Sequence, residues 1–290
     1  MLIRLADGRN RVLREIRDAA PLMAALAAPV PARGPWLTTA LNTQLTSPFA
    51  RDRARAVAVA SDPQGRSDGV ALLSFRRRGI ATAVTLLGAG GPLPEGRPPS
   101  RLYARDDAVA ARLAGGIADQ LHGLRGPWTL RLAGLPLGDP TLRHLAAAMP
   151  DSSLSTTRSR RLVDELGTVA EVRRSRDPAE VDRWLRAVLA RVPASRRSFV
   201  RAVARLHAAI GQLEVAVVPA AGGVAAVLLT LVDSRPDGED RWPWWGSTDV
   251  GGLRRELGSP WASFTASAGL GLLGGWDARA GGVSGGTAAG

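Results

Sequence analysis

Apolar residues recur with the spacing of an amphipathic helix early in the second half of the chain. Asp177 and Pro178 form a typical helix start, with a side-chain cap followed by proline at the first helical position. Six apolar residues then recur at i, i+3, i+4, i+7, i+8 and i+11: Val181, Trp184, Leu185, Val188, Leu189 and Val192. This spacing predicts a helix that buries one face.

Capping signals predict further helices in the first half. Asp106 or Asp107 caps a helix, and Asp139 with Pro140 opens another. The first of these has an apolar face at four-residue spacing, made of Val109, Leu113, Ile117 and Leu121. Residues 11–27 predict a helix capped by Asn10 and broken at Pro21, and residues 36–45 predict a short one.

Two more helices are predicted downstream. Ser195 is expected to cap a helix that turns Phe199, Val203, Leu206 and Ile210 inward. Ser259 and Pro260 are expected to open a final helix.

Alternating and continuous apolar runs predict strands between these helices. Residues 69–75 and 80–87 predict a β-hairpin that turns near Arg78 and Gly79, because the residues after Gly79 alternate and are rich in β-branched types. Residues 215–232 carry no charge and approach the length of a membrane span. Their centre, residues 219–223, has turn chemistry, which favours two buried strands over a membrane helix. Other strands are predicted at residues 56–60, 128–132, 152–166 and 241–246.

This interspersed order predicts the α+β class, with mixed, largely antiparallel sheets flanked by helices. We expect two lobes of similar outline, an N-terminal lobe at residues 1–165 and a C-terminal lobe at residues 166–281. Residues 282–290, rich in glycine and alanine, are expected to form a flexible tail.

The composition of the 290-residue chain excludes several classes of chemistry. There is no Cys, which excludes thiolate nucleophiles, iron–sulfur clusters and Cys-based zinc sites. All 38 basic residues are Arg, which excludes a pyridoxal-phosphate (PLP) anchor and a P-loop lysine. His122, His144 and His207 are far apart and lack metal-ligand spacing, so no metal is expected.

The formal net charge of +12 is compatible with an anionic partner, but also with the coding bias of an arginine-, alanine- and glycine-rich chain. The arginines are scattered and aromatic residues are few, so nucleic acid is an unlikely partner. Charges interrupt the N-terminal residues, which do not resemble a secretory signal. We expect a cytoplasmic protein without a membrane span.

Two glycine motifs match nucleotide-binding patterns outside their usual context. Residues 269–274 match the dinucleotide pattern G-x-G-x-x-G, but a strand does not precede them and only 16 residues follow. A nicotinamide cofactor is therefore not expected. Residues 76–81 match R-x-x-G-x-A, but the predicted hairpin replaces the helix that would hold a phosphate.

A second candidate anion site lies near the end of the chain. Arg254, Arg255, Gly258 and Ser259 precede the predicted helix at Pro260, where free N–H groups and two guanidiniums suit a phosphate. An ordinary solvated loop is the alternative. Trp244 and Trp245 belong to a cluster of three indoles in four residues, which predicts either a substrate pocket or core packing.

The chain resembles the tandem GNAT-like N-acyltransferases, including the cellulose-biosynthesis-associated group. The resemblance rests on residues 69–78 with the following strand and residues 86–91, on the helix pair and hairpin of the second half, and on residues 258–260 and 275–281. It implies two GNAT-type lobes and transfer of an acyl group from acyl-CoA, or another activated acyl donor, to an amine acceptor.

The resemblance also implies site roles. Asp249, Glu256 and Asp277 are the candidate proton acceptors. Arg254, Arg255, Gly258 and Ser259 would hold the donor phosphates, and Trp244 and Trp245 would contact the small-molecule substrates. Two alternatives stay open: a catalytically inactive GNAT-like binding or scaffold protein, and an anion- or nucleic-acid-binding module.

Overall fold

The computed structural model describes residues 1–44, 52–62, 65–221, 223–235 and 238–269. Twelve strands are found in these ranges: β1 (Leu2–Asp7), β2 (Asp52–Ala60), β3 (Ser67–Arg78), β4 (Ala81–Leu86), β5 (Tyr103–Ala104), β6 (Trp128–Leu135), β7 (Ser153–Asp164), β8 (Arg173–Ser175), β9 (Leu213–Ala220), β10 (Gly223–Arg235), β11 (Gly238–Thr248) and β12 (Leu253–Ala268). The same ranges contain eight α-helices: α1 (Arg9–Asp18), α2 (Ala20–Ala25), α3 (Gly34–Gln44), α4 (Asp107–His122), α5 (Pro140–Ala148), α6 (Leu166–Val169), α7 (Pro178–Arg191) and α8 (Arg197–Ala209).

The strands form two sheets. The larger has eight strands in the order β1-β2-β3-β4-β6-β12-β7, with β5 paired to β3, and the smaller has four in the order β11-β10-β9-β8. Within the described ranges, β4 and β6 are the single parallel pair, and α4 connects them. The predicted α+β class with largely antiparallel sheets flanked by helices is confirmed. The division of the chain at residue 165 stays a prediction, and β12 from the second half completes the larger sheet.

Most predicted elements are present, and three of the predicted caps make the expected bonds. The Asp106 carboxylate accepts the Val109 N–H at 2.8 Å, the Asp139 carboxylate accepts the Thr141 N–H at 2.9 Å, and the Asp177 carboxylate accepts the Ala179 N–H at 2.9 Å. The predicted hairpin turns at Gly79, whose φ of 59° is in the left-handed region that favours glycine. The break predicted at Pro21 is found two residues earlier, at Ala19, and Pro21 lies in the first turn of α2.

Two predicted caps were wrong. Gly8 precedes α1, so Asn10 lies inside the helix. Arg196, without a side-chain cap bond, precedes α8 in place of Ser195. The buried face of α8 consists of adjacent pairs, Phe199 with Val200, Val203 with Ala204, and His207 with Ala208. Its centre is therefore shifted from the predicted face, which leaves Leu206 half-buried and Ile210 exposed.

The helix predicted at Ser259 and Pro260 was wrong, because both residues lie inside β12. This strand pairs with β6 on one side and β7 on the other. Proline has no N–H for a ladder bond, and the register of β12 against β7 shifts between Leu257 and Pro260. Long-range pairing on both edges of the strand thus overrides the local helix-start signal.

Helices cover both sheets and bury separate cores. The helices α4 and α5 pack on the larger sheet, and α7 and α8 pack on the smaller one. Trp36, on α3, joins the core of the smaller sheet, with its ring centroid 5.6 Å from that of Phe199 and 5.2 Å from that of Trp244. No helix in the described part of the chain is long and apolar enough to cross a membrane.

Candidate functional site

A cavity of about 470 Å³ lies between the two sheets. The smaller sheet contributes Trp244 and Trp245 from β11, and the larger sheet contributes Leu162 from β7 and Trp261 from β12. Residues 89–95, which follow β4, form another wall. The cavity therefore combines aromatic side chains with a proline-rich backbone, as is typical of sites for partly apolar ligands.

The proline-rich segment 92–97 is bound to β11 on one side. The Trp244 indole N–H donates to the Pro92 carbonyl oxygen, and the Trp242 indole N–H donates to that of Glu95, both at 2.7 Å. These bonds satisfy two buried indoles and explain why the tryptophan cluster is placed here.

The same segment is bound to the larger sheet on the other side. The Gly96 N–H donates to Ser159 Oγ on β7, and the Ser259 N–H on β12 donates to the Gly96 carbonyl oxygen, both at 2.7 Å. The segment 92–97 therefore bridges the two sheets. On its far side lies a second, more charged cavity of about 730 Å³, which Arg97, Asp240, Gly258 and Ser259 help to line.

The first cavity also reaches the point where β4 and β6 separate. Their parallel pairing ends at Thr85 and Arg131. Beyond it the Ser100 N–H donates to the Gly134 carbonyl oxygen at 3.0 Å, and Pro99 and Gly134 line the cavity wall. The opening between the two strands is thus filled by residues that follow the segment 92–97.

The structure separates the predicted site residues into three groups. Trp244, Trp245 and Arg255 line the first cavity, whereas Gly258 and Ser259 line the second. Asp249, Glu256 and Arg254 do not line either cavity in the described part of the chain. Asp277 lies outside the described residues.

Ion pairs engage the predicted acids that are described. The Asp249 carboxylate is 2.5 Å from Arg191, and the Glu256 carboxylate is 2.6 Å from Arg161 and also bonded to Arg254. Hydrogen bonding by Arg161 keeps the pKa of Glu256 below its usual value. Both carboxylates bind arginines and lie outside the described linings of the two cavities, so neither is placed to take a proton from a ligand bound there.

Glu95 and Arg196 are cavity residues that sequence reasoning missed. Glu95 is the one acid among the described residues lining the first cavity, and its carboxylate is 2.5 Å from Arg255. Arg196, just before α8, contributes a second guanidinium. The available signal for Glu95 was that it is the single acid in the glycine- and proline-rich stretch of residues 88–100.

The N-terminus of α4 is occupied by the protein's own carboxylates. Asp106 accepts a backbone N–H there, and this bond keeps the pKa of Asp106 below its usual value. Asp107 in the first turn is bonded to Arg143 and His144. Two carboxylates at a helix start disfavour a bound phosphate. No cluster of three or more His, Cys, Asp or Glu residues that could hold a metal is found in the described ranges.

Comparisons with known proteins match this chain to solved structures alone. No family model and no curated protein matches it. A tandem GNAT protein from the clavulanic acid biosynthesis pathway, solved without AcCoA, is 15% identical with a TM-score of 0.43, over 92% of this chain and 99% of that one. A conserved protein of unknown function from Bacteroides thetaiotaomicron is 10% identical with a TM-score of 0.44, over 87% and 97% of the two chains.

A third match is a probable N-acyltransferase from Enterococcus faecalis. It is 9% identical with a TM-score of 0.33, over 91% of this chain and 72% of that one. This chain is thus similar to a tandem GNAT protein and to a probable N-acyltransferase over most of its length, at 15% and 9% sequence identity.

Proposed function

We propose that this protein transfers an acyl group from acyl-CoA, or another activated acyl donor, to an amine, and that the donor binds in the cavity between the two sheets. The observation that carries the proposal is the composition of that cavity. Three indoles offer apolar area for an acyl or pantetheine chain, and Arg196 and Arg255 offer charge-assisted hydrogen bonds to phosphate. Few other ligand classes combine a long apolar part with several phosphates.

In this reaction the amine nitrogen attacks the thioester carbonyl carbon, and the carbon–sulfur bond breaks. The products are an amide and the free thiol, which receives the proton lost by the amine. We propose that Glu95, which lines the cavity, takes this proton from the amine nitrogen and passes it to the departing thiolate. Its bond to Arg255 has to open when the phosphates of the donor bind to that guanidinium.

The test measures donor binding by quenching of tryptophan fluorescence with acyl-CoAs from acetyl to palmitoyl. Arg255→Ala is expected to weaken binding about tenfold or more, which corresponds to about 1.4 kcal/mol. Arg254→Ala is the matched control, since it removes the same charge from the adjacent, equally exposed position that does not line the cavity. Equal effects of the two substitutions would contradict the proposed donor site.

Turnover is measured with a thiol-reactive chromophore while a panel of amines is supplied. The chain contains no Cys, so the protein gives no background in this assay. Glu95→Gln is expected to lower kcat while donor binding is kept. If free thiol is released but no amide forms with any of the amines, an amine is not the acceptor and the proposal is contradicted.

The pairing of Asp249 and Glu256 favours a second candidate, a GNAT-like binding protein that does not catalyse transfer. The two candidates differ in one measurement. The binding protein would show quenching that depends on Arg255 but no thiol release with any amine.

A further inference from the structure

A basic groove of about 630 Å³ runs between α7 and α8, on residues that the proposed function does not use. Its apolar floor consists of the exposed Ala190 and the narrow outer edges of Leu185 and Leu189, which are 2% and 7% exposed. The described residues that line it also include four arginines, Arg186 from α7 and Arg197, Arg201 and Arg205 from α8, and one acid, Asp182.

The two helices are antiparallel, which fixes the positions that face each other. The Arg205 guanidinium is 2.7 Å from the Asp182 carboxylate, so these two residues mark one row across the groove. Arg186 lies one turn further along α7, and Arg201 lies one turn back along α8. These two residues form the next row. One turn further, Ala190 faces Arg197.

The charges of these rows are unbalanced. Asp182 neutralises Arg205 in the first row, whereas the second row places two exposed guanidiniums opposite each other. Within the described residues, neither Arg186 nor Arg201 has a hydrogen bond or ion pair. The Nε of Arg197 donates to the Val192 carbonyl oxygen at 2.9 Å, a bond that leaves its charge uncompensated. Like charges at this spacing repel each other, and an anion between them would remove the repulsion.

We propose that this groove binds an acidic amphipathic helix of a partner protein. One carboxylate of that helix would lie between Arg186 and Arg201, and a second, one turn away, would bind Arg197. Because the floor is apolar, the partner also needs small apolar side chains beside its carboxylates, which is the pattern of an amphipathic helix that packs in a groove.

The apolar floor also distinguishes this partner from nucleic acid. A phosphate backbone would satisfy the arginines but leave the exposed Ala190 methyl without an apolar counterpart. Among the described residues, no aromatic side chain on which a base could stack lines the groove.

The groove begins next to the cavity between the sheets, because Arg197 lines the groove and the preceding Arg196 lines the cavity. A bound partner would therefore lie beside that cavity. The proposal does not depend on acyl transfer, since it rests on the α7 and α8 surfaces alone.

The test uses a fluorescein-labelled, stapled peptide of about four helical turns, with Glu at every fourth position and Leu and Ala on the adjacent stripe. Fluorescence anisotropy is recorded with the full chain, with the double variant Arg186→Glu/Arg201→Glu, and with the control Arg14→Glu/Arg17→Glu. The control makes the same change in net charge on the exposed face of α1. We expect the groove variant to weaken binding about tenfold or more and the control about twofold or less.

A second peptide, with Arg in place of every Glu, is expected to bind the Arg186→Glu/Arg201→Glu variant more tightly than the original chain. If the charge-reversed protein does not fold, the neutral variant Arg186→Gln/Arg201→Gln replaces it in the binding measurement, after its fold has been checked by circular dichroism. Equal weakening by the groove and control variants would overturn the proposal. So would tighter binding of a DNA duplex with the same dependence on Arg186 and Arg201.

Discussion

Gly258 on β12 lies so close to Gly96 that a β-carbon at position 258 would overlap the Gly96 carbonyl oxygen. The same oxygen accepts the Ser259 N–H at 2.7 Å. This backbone contact holds the segment 92–97 against the larger sheet, while Trp242 and Trp244 hold it against the smaller one. The division between the two cavities therefore depends on a glycine that has no room for a side chain.

The substitution Gly258→Ala is expected to displace the segment 92–97 and to destabilise the protein. Overpacking of this kind typically costs about 1–3 kcal/mol, which urea denaturation followed by tryptophan fluorescence would measure. Gly115→Ala on α4 is the control, because a β-carbon there has no heavy atom within 4 Å. The control is expected to leave stability unchanged or to raise it. Equal unfolding midpoints for both variants would show that the contact does not hold the segment.

Leu185→Ala tests the helix face that the sequence predicts most directly. Leu185 is 2% exposed in the core of α7, α8 and the smaller sheet, so its truncation should cost about 2–5 kcal/mol. Ile210→Ala is the matched control, since Ile210 is 45% exposed and its truncation should cost less than about 1 kcal/mol. Chemical denaturation distinguishes the two, and a cost below about 1 kcal/mol for Leu185→Ala would contradict the burial of this face.

Elements with local signals could be predicted, whereas the site could be predicted only in part. The helix α7 follows from apolar spacing and a capping aspartate, and both signals lie within the helix itself. Trp184 shows the limit of that pattern, because it is only half-buried at the edge of the face. The strand β12 could not be predicted, because its partners β6 and β7 are about a hundred residues away and a local Ser-Pro pair suggested a helix start.

The cavity, like β12, is formed by residues that lie far apart in the sequence. Glu95 and Arg196 come from distant segments, and each is unremarkable in its own sequence context. Arg255 was singled out only as part of a helix start that the structure replaces with a strand. Trp244 was recognised because the indole cluster is locally unusual. The partner of its indole N–H, the Pro92 carbonyl, was not, because a backbone oxygen carries no sequence signal.

Asp233→Asn is expected to weaken a link between the two halves of the chain. Both oxygens of the Asp233 carboxylate are 2.7 Å from Arg33 nitrogens, and Arg33 precedes α3 while Asp233 lies on β10. The Asp233 side chain is 8% exposed, so the variant leaves Arg33 poorly compensated at a loss of about 2 kcal/mol. Glu180→Gln is the control, because its pair with Arg183 is well exposed and contributes less than about 1 kcal/mol. Thermal unfolding that ranks the two variants equally would contradict this assignment.

The buried His207 should make stability depend on pH between about 6.5 and 4. His207 is 0% exposed, its Nδ1 is 3.1 Å from Gln212 Oε1, and its Nε2 has no hydrogen-bond partner in the described residues. The ring of Trp36, 5.7 Å away, helps to enclose it. Burial lowers the pKa of His207 from 6.5 to about 4, so the folded protein keeps the ring neutral at pH values where the unfolded chain protonates it.

Because the unfolded state binds the extra proton, the free energy of unfolding falls as the pH is lowered from about 6.5 toward 4. The difference between the two pKa values corresponds to about 3 kcal/mol, of which most should be lost by pH 4.5. We expect His207→Gln to remove this slope, whereas His122→Gln, on the exposed end of α4, should retain it. Urea denaturation of all three proteins at several pH values between 7 and 4.5 measures the slopes directly. Carboxylate titration is common to the three proteins and cancels in the comparison. Parallel curves for His207→Gln and the original chain would mean that the ring is protonated in the folded state, and would contradict its enclosure by Trp36 and α8.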